Sequence, residues 1–124
     1  MAVIANPKPI PGLERVPFLT NETVFDLAEC PAHLIVVGAG PMGLELAQAF
    51  RRLGAAVTVL EAGTALAHED PECARIVLDQ LAAEGVVLRQ GVSIASVEAS
   101  GAGIAVVLGG TGDHERISGS DLLI

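Results

Sequence analysis

The chain of 124 residues has no tryptophan, no tyrosine and only three phenylalanines. Without large rings the core has to be filled by Val, Ile, Leu and Ala, the residues of buried parallel strands and of the helices that cover them, and this leans the fold towards α/β. Positive charge is scarce as well. Seven Lys and Arg stand against 15 Asp and Glu, for a formal net charge of -8. That balance lacks the basic footprint that holds a polyanion by counterion release, which argues against nucleic acid as a partner. A single phosphate group is still admissible, because a few aligned backbone N–H groups bind it locally. Cysteine is limited to Cys30 and Cys73, which form no Cys-x-x-Cys pair and no zinc-type cluster with His33, His68 or His114. Free thiols in a reducing compartment are the simplest reading, and no metal is expected. No apolar run approaches the roughly 18 residues needed to span a bilayer, and the Met1 end lacks the basic and apolar regions of a signal peptide. A cytoplasmic protein that does not enter a membrane is expected.

What is present is 51% hydrophobic residues with 18% charged, enough for one compact domain. Pro7, Pro9, Pro11 and Pro17 crowd the start. Proline supplies no N–H and fixes φ, so residues 1–30 are expected to be an irregular connector, with one short helical turn capped by Thr20 or Asn21 and closed by Pro31. Residues 31–124 are expected to form the folded domain. Within it "LIVVGA" reads as a strand buried on both faces, and a helix follows, with Leu46, Phe50 and Leu53 at helical spacing and Gly54 as its end. "AAVTVLE" is then a second strand, completing a βαβ unit of about 30 residues. A second helix is announced by Asp70 as N-cap, Pro71 at the first helical position and Glu72 in the first turn, with Ala74, Val77, Leu78 and Leu81 as its apolar side and Gly85 as its stop. "VVLRQG" would be a third parallel strand. After Gly91 the apolar period drops to two through "VSIASVEAS", "GIAVVLGG" and "HERIS", which reads as three antiparallel strands, and "DLLI" opens a further buried strand. The expected fold is therefore a Rossmann-like three-layer βαβ domain with a parallel sheet plus a three-stranded antiparallel β-meander.

Gly38, Gly40 and Gly43 stand as Gly-x-Gly-x-x-Gly between the first strand and its helix. In a dinucleotide-binding turn the first permits the tight bend, the second lets the pyrophosphate approach backbone, and the third allows close packing of helix on strand. Glu61 ends the next strand, 18 residues after Gly43, close to the spacing of about 20 expected for the acid that binds the adenosine ribose. A carboxylate there accepts from both ribose hydroxyls and repels a 2'-phosphate, which favours NAD(H) over NADP(H). Glu45 has two readings: an acid answering the helix dipole, or an acceptor for the carboxamide of a nicotinamide. Asp70 and Glu72 are helix-start residues, Cys73 is filler, and the three histidines are solvated.

The run "LTNETVFDLAECPAHLIVVGAGPMGLELAQAFRRLGAAVTVLEAG" followed by "EDPECARIVLDQLAAEGVVLRQG" resembles the NAD(H)-binding domain of the FAD-dependent pyridine nucleotide-disulfide oxidoreductases, within them the mercuric reductase-like and dihydrolipoamide dehydrogenase-like flavoproteins. The resemblance implies a domain inserted into an FAD domain, a C-terminal dimerisation domain and a homodimeric parent enzyme. On it, this chain begins at the exit from the FAD domain and is truncated at the return strand, so that alone it would bind NAD(H) without turning over. It also implies that Gly38, Ala39, Gly40, Pro41, Met42, Gly43, Leu44 and Glu45 surround the pyrophosphate and nicotinamide, that Glu61 holds the ribose, and that Val92 walls the adenine. No catalytic residue falls within the chain. Pro41 stands where many relatives carry an aromatic ring that covers the flavin until nicotinamide displaces it, and proline cannot act as that gate. A different class of function, a non-catalytic NAD(H)-sensing regulatory module, would use the same turn.

Overall fold

A strand can be apolar without interruption only when neither of its faces meets water. The first strand satisfies this: Leu34 and Val36 pack into one core cluster, while Ile35 packs into another on the opposite side. The computed structural model describes residues 10–109 and 115–124. In chain order its elements are β1 (His33–Val37), α1 (Pro41–Arg52), β2 (Ala56–Glu61), α2 (Pro71–Glu84), β3 (Val87–Gln90), β4 (Ile94–Ser100), β5 (Gly103–Leu108), β6 (Arg116–Gly119) and β7 (Asp121–Leu123). Strands β3-β2-β1-β7 form a parallel sheet, with Leu34 opposite Val57 on one side and Asp121 on the other. Strands β4-β5-β6 form an antiparallel meander. Leu44 and Ala47 of α1 and Leu81 of α2 cover one face of the parallel sheet, and Val97, Ile104, Val106 and Leu108 of the meander cover the other. The three expected layers are all present.

Helix α2 starts and stops as its sequence requires. Asp70 Oδ1 accepts from the Glu72 N–H at 3.3 Å, Pro71 takes the first helical position, and Gly85 ends the helix at φ +99°, a left-handed conformation that a side chain would resist. Two expected core positions differ. Leu53 is 69% exposed, because α1 ends at Arg52 and Leu53 belongs to the cap. Val77 is 45% exposed, because the buried stripe of α2 runs through Ala74, Leu78 and Leu81 and leaves it on the flank. His33, read as solvated, is half-buried and its Nε2 lies 2.8 Å from the hydroxyl of Thr58, the buried polar side chain of β2.

The described part of the proline-rich segment is built into the fold. Val16 and Val24 are buried in the two cores, and two turns of 3-10 helix form at Leu13–Arg15 and Thr23–Asp26. The second has Glu22 at its N-cap, not Thr20 or Asn21, because the helix starts at Thr23; Thr20 Oγ1 instead accepts from the N–H groups of Glu22 and Thr23 in the turn before it, both at 3.2 Å. The N–H of Val97 donates to Pro11 O at 2.9 Å, and Leu19 bridges Leu123 in parallel. Pro7, Pro9 and His114 lie outside the described residues.

The ends of the two helices are joined by Glu84. Its carboxylate accepts from Arg52 Nε at 2.7 Å, Gln48 Nε2 at 2.8 Å and Gln80 Nε2 at 3.0 Å, and its backbone oxygen accepts from Arg51 Nε at 2.9 Å. The Arg52 hydrogen bond and the two amides pull the Glu84 carboxyl from its ordinary value near 4.5 down to about 2. A group depressed on folding contributes stability that is complete above the unfolded value and is lost as pH falls through the folded one. Glu84→Gln is therefore expected to flatten the pH dependence of the thermal midpoint between about pH 4.5 and 2. Parallel midpoint curves for the two proteins across that window would show that the cluster contributes nothing.

Candidate functional site

In open parallel sheets, ligands bind beyond the carboxyl ends of the strands where the strand order reverses. Here the chain leaves β1 through α1 to reach β2 on one side, and returns much later to β7 on the other. The glycine turn, residues 38–40, sits at that reversal. Gly38 has φ +106°, which only glycine adopts freely, and its N–H donates to Leu60 O at 2.8 Å. A Cβ on Gly43 would come within 2.6 Å of Gly38 O, so this glycine is what lets α1 approach the turn. A Cβ on Gly40 would meet no protein atom within 4 Å. Gly43 is thus required by the protein's own packing, whereas the space before Gly40 is open to a ligand.

The two helix starts differ in a way that bears on charge. Asp70 caps α2, but Gly40 caps α1 with no side chain, and the first turn of α1 holds no acidic residue. The unpaired N–H groups and the positive end of the α1 dipole are left for an anion from elsewhere. Pro41 occupies the first helical position and is exposed.

Glu61 does more than end β2. Its Oε1 accepts from the Ala39 N–H at 2.9 Å and its Oε2 from the Gly63 N–H at 2.8 Å. The next loop closes round the same turn, for the Leu66 N–H donates to Ala39 O at 3.0 Å, with Leu66 held at φ +53°. A carboxylate oxygen has a second lone pair after accepting one hydrogen bond, so Glu61 retains the capacity to accept from two hydroxyls. The Val92 N–H donates to Glu61 O at 3.2 Å and fixes the neighbouring wall.

These residues line a cleft of about 730 Å³. Of the residues singled out from sequence, Gly38, Ala39, Gly40, Pro41, Met42, Gly43, Glu61 and Val92 meet there. Leu44 and Glu45 do not. Leu44 is buried under α1, and Glu45, the fifth helical residue, lies past the first turn and faces a separate groove between α1 and α2 with Glu69 and Cys73. Glu45 is therefore not an acid at the helix start. Asn21, Ile10, Leu13, Leu123 and Ile124 also line the cleft. Sequence reasoning missed them because they come from an irregular segment and from the last strand, where no spacing relates them to the glycines. The polar turn at Thr20 and Asn21 was the available signal. Cys30 and Cys73 are free and exposed, with Cys73 Sγ 3.4 Å from Asp70 Oδ2. Among the described residues no group of His, Cys, Asp and Glu could hold a metal ion, and no helix is long and apolar enough to cross a membrane.

The sheet order, the glycine turn and the covering layers define a Rossmann-like domain. Residues 3–123 match the pyridine nucleotide-disulphide oxidoreductase family, and the chain belongs to it. It is 34% identical over 115 residues to a mercuric reductase of Streptomyces lividans, covering 93% of this chain and 24% of that protein. To dihydrolipoyl dehydrogenase 3 of Pseudomonas putida it is 34% identical over 120 residues, 91% of this chain and 26% of the relative. Among solved structures, the Cu(II) complex of the HOCl-induced flavoprotein disulfide reductase RclA from Escherichia coli superposes with a TM-score of 0.85 at 28% identity, covering 95% of this chain and 27% of that one. The chain spans about a quarter of the length of these relatives.

The contrast between two glycines is testable. Gly43→Ala is expected to destabilise the fold by about 1–3 kcal/mol through the clash with Gly38 O. Gly40→Ala meets no clash and should cost less than about 1 kcal/mol, the difference between glycine and alanine at a helix cap, and under the dinucleotide reading it should weaken binding of a pyrophosphate-containing nucleotide by more than that. Denaturant titration and calorimetric binding of ADP-ribose read the two effects apart, and equal destabilisation by both variants would contradict the assignment of open space at Gly40.

Proposed function

We propose that this chain is the NAD(H)-binding domain of an FAD-dependent pyridine nucleotide-disulfide oxidoreductase, and that it holds the nicotinamide for hydride transfer to the flavin. The observation that carries the proposal is an uncapped helix start at the strand-order reversal, with space before Gly40 and the Glu61 carboxylate beside it. The pyrophosphate would take the free N–H groups of the α1 start, and the adenosine ribose would hydrogen-bond Glu61, with Val92 as the adenine wall. Bound FAD would supply the hydride acceptor and the route to the final acceptor. This domain's own residues bind and orient the dinucleotide, and none of them is catalytic.

The names of the relatives, mercuric reductase, dihydrolipoyl dehydrogenase and flavoprotein disulfide reductase, support an oxidoreductase parent. The short span of the match supports further domains in that parent, for which we propose an FAD domain, a C-terminal dimerisation domain, a homodimer and a cytoplasmic location. No observation favours the NAD(H)-sensing regulatory module.

Glu61 also sets the expected choice of dinucleotide, since a carboxylate repels a 2'-phosphate and no Arg or Lys follows in residues 62–67. Wild-type protein should bind NADH more tightly than NADPH, and Glu61→Ala should lose NADH affinity and narrow that ratio. Equal affinity of the wild type for both would refute the specificity argument.

A further inference from the structure

Among the described residues, Leu66 is the non-glycine residue at positive φ, +53°. Such a conformation persists only where the surroundings hold it. The Leu66 N–H donates to Ala39 O at 3.0 Å, and one residue earlier the Ala65 N–H donates to the side-chain Oε1 of Gln90 at 2.7 Å. Ala65 is buried, so its N–H has no route to water unless the loop itself moves. Gln90 ends β3 directly opposite Glu61 at the end of β2. The residues after it extend the attachment, for the Gly91 N–H donates to Gly63 O and the Val92 N–H to Glu61 O, both at 3.2 Å.

These bonds close a circuit. It runs from the Glu61 carboxylate to the Ala39 N–H, from Ala39 O to Leu66, and from the adjoining Ala65 through Gln90 to the strand beside Glu61. Two side chains take part, Glu61 and Gln90. Gln90 is not among the residues that line the cleft, so any effect it has there passes through the loop of residues 62–66. We infer that Gln90 is a positioning residue for Glu61: by holding the Ala65 N–H it keeps this loop closed on the glycine turn, with the Glu61 carboxylate set between Ala39 and Gly63. Without the acceptor the buried Ala65 N–H has to move to reach water, Leu66 relaxes from its left-handed conformation, and Gly63 draws Glu61 Oε2 with it. This rests on the dinucleotide reading of the cleft and adds to it the residue that fixes the ribose acid.

The test titrates two ligands into the full chain by calorimetry: ADP-ribose, and its analogue lacking the 2'-hydroxyl of the adenosine. Wild type should prefer ADP-ribose, because only that ligand offers Glu61 both hydroxyls. Gln90→Leu should weaken ADP-ribose by about three- to tenfold, the range for one hydrogen bond, and should weaken the deoxy analogue less, so that the preference narrows. A general loss of structure would weaken both alike. Gln90→Glu keeps an acceptor at the same reach and should restore ADP-ribose affinity, although its added charge opposes an anionic ligand. Failure of the wild type to bind ADP-ribose would overturn the dinucleotide reading itself, and no preference for the hydroxyl would overturn the ribose role of Glu61 and this inference with it. Where the wild type shows both, three results would overturn the role of Gln90 alone: unchanged affinity in Gln90→Leu, equal weakening of the two ligands, or a loss that Gln90→Glu does not restore.

Discussion

Strand β1 has no wet face, and the rest of the structure follows from that constraint. Burying Leu34 and Val36 needs helices on one side, and burying Ile35 needs a second apolar layer on the other, which the meander provides. With both faces of β1 covered, a ligand approaches this strand at its end. The carboxyl end of β1 leads directly into the glycine turn, and β2 and β7 flank it. The position of the cleft is thus a by-product of how the core is closed.

The Glu61 carboxylate joins this architecture to its chemistry. It is the acid that spacing alone marks as a ribose ligand, and it also ties the glycine turn to the loop after β2 through Ala39 and Gly63. Both roles depend on an acceptor with several lone pairs. A substitution at this position therefore changes the shape of the turn, so under the proposed function a loss of nucleotide binding at Glu61 is partly a loss of preorganisation.

Legibility in the sequence tracked the range of the interactions. The bend at Gly38, the close approach at Gly43, the Asp70 cap and the Gly85 stop are local devices, each complete within a few residues, and their conformations are as read. Binary patterning identified the parallel strands and the meander for the same reason. Contacts that join distant segments left no such trace. The packing of Val16 and Val24 into the two cores, the pairing of Leu19 with Leu123 and the presence of Asn21 at the cleft arise from tertiary closure of an irregular segment. Glu45 shows a subtler limit. The helix begins at Pro41, so Glu45 falls in the second turn and faces the groove against α2. The bond between His33 and Thr58 was equally hidden, because it depends on the register of two strands.

Leu66 carries the last consequence. A leucine at φ +53° is in a conformation that costs energy, and it persists because its N–H holds Ala39 O and its side chain is buried. Together with the Glu61 bonds and the fixed φ of Pro41, it leaves the turn in one shape before any ligand arrives. Under the proposed function, association is then a single bimolecular step without a slow isomerisation after it, and affinity differences among related nucleotides lie in how fast they leave.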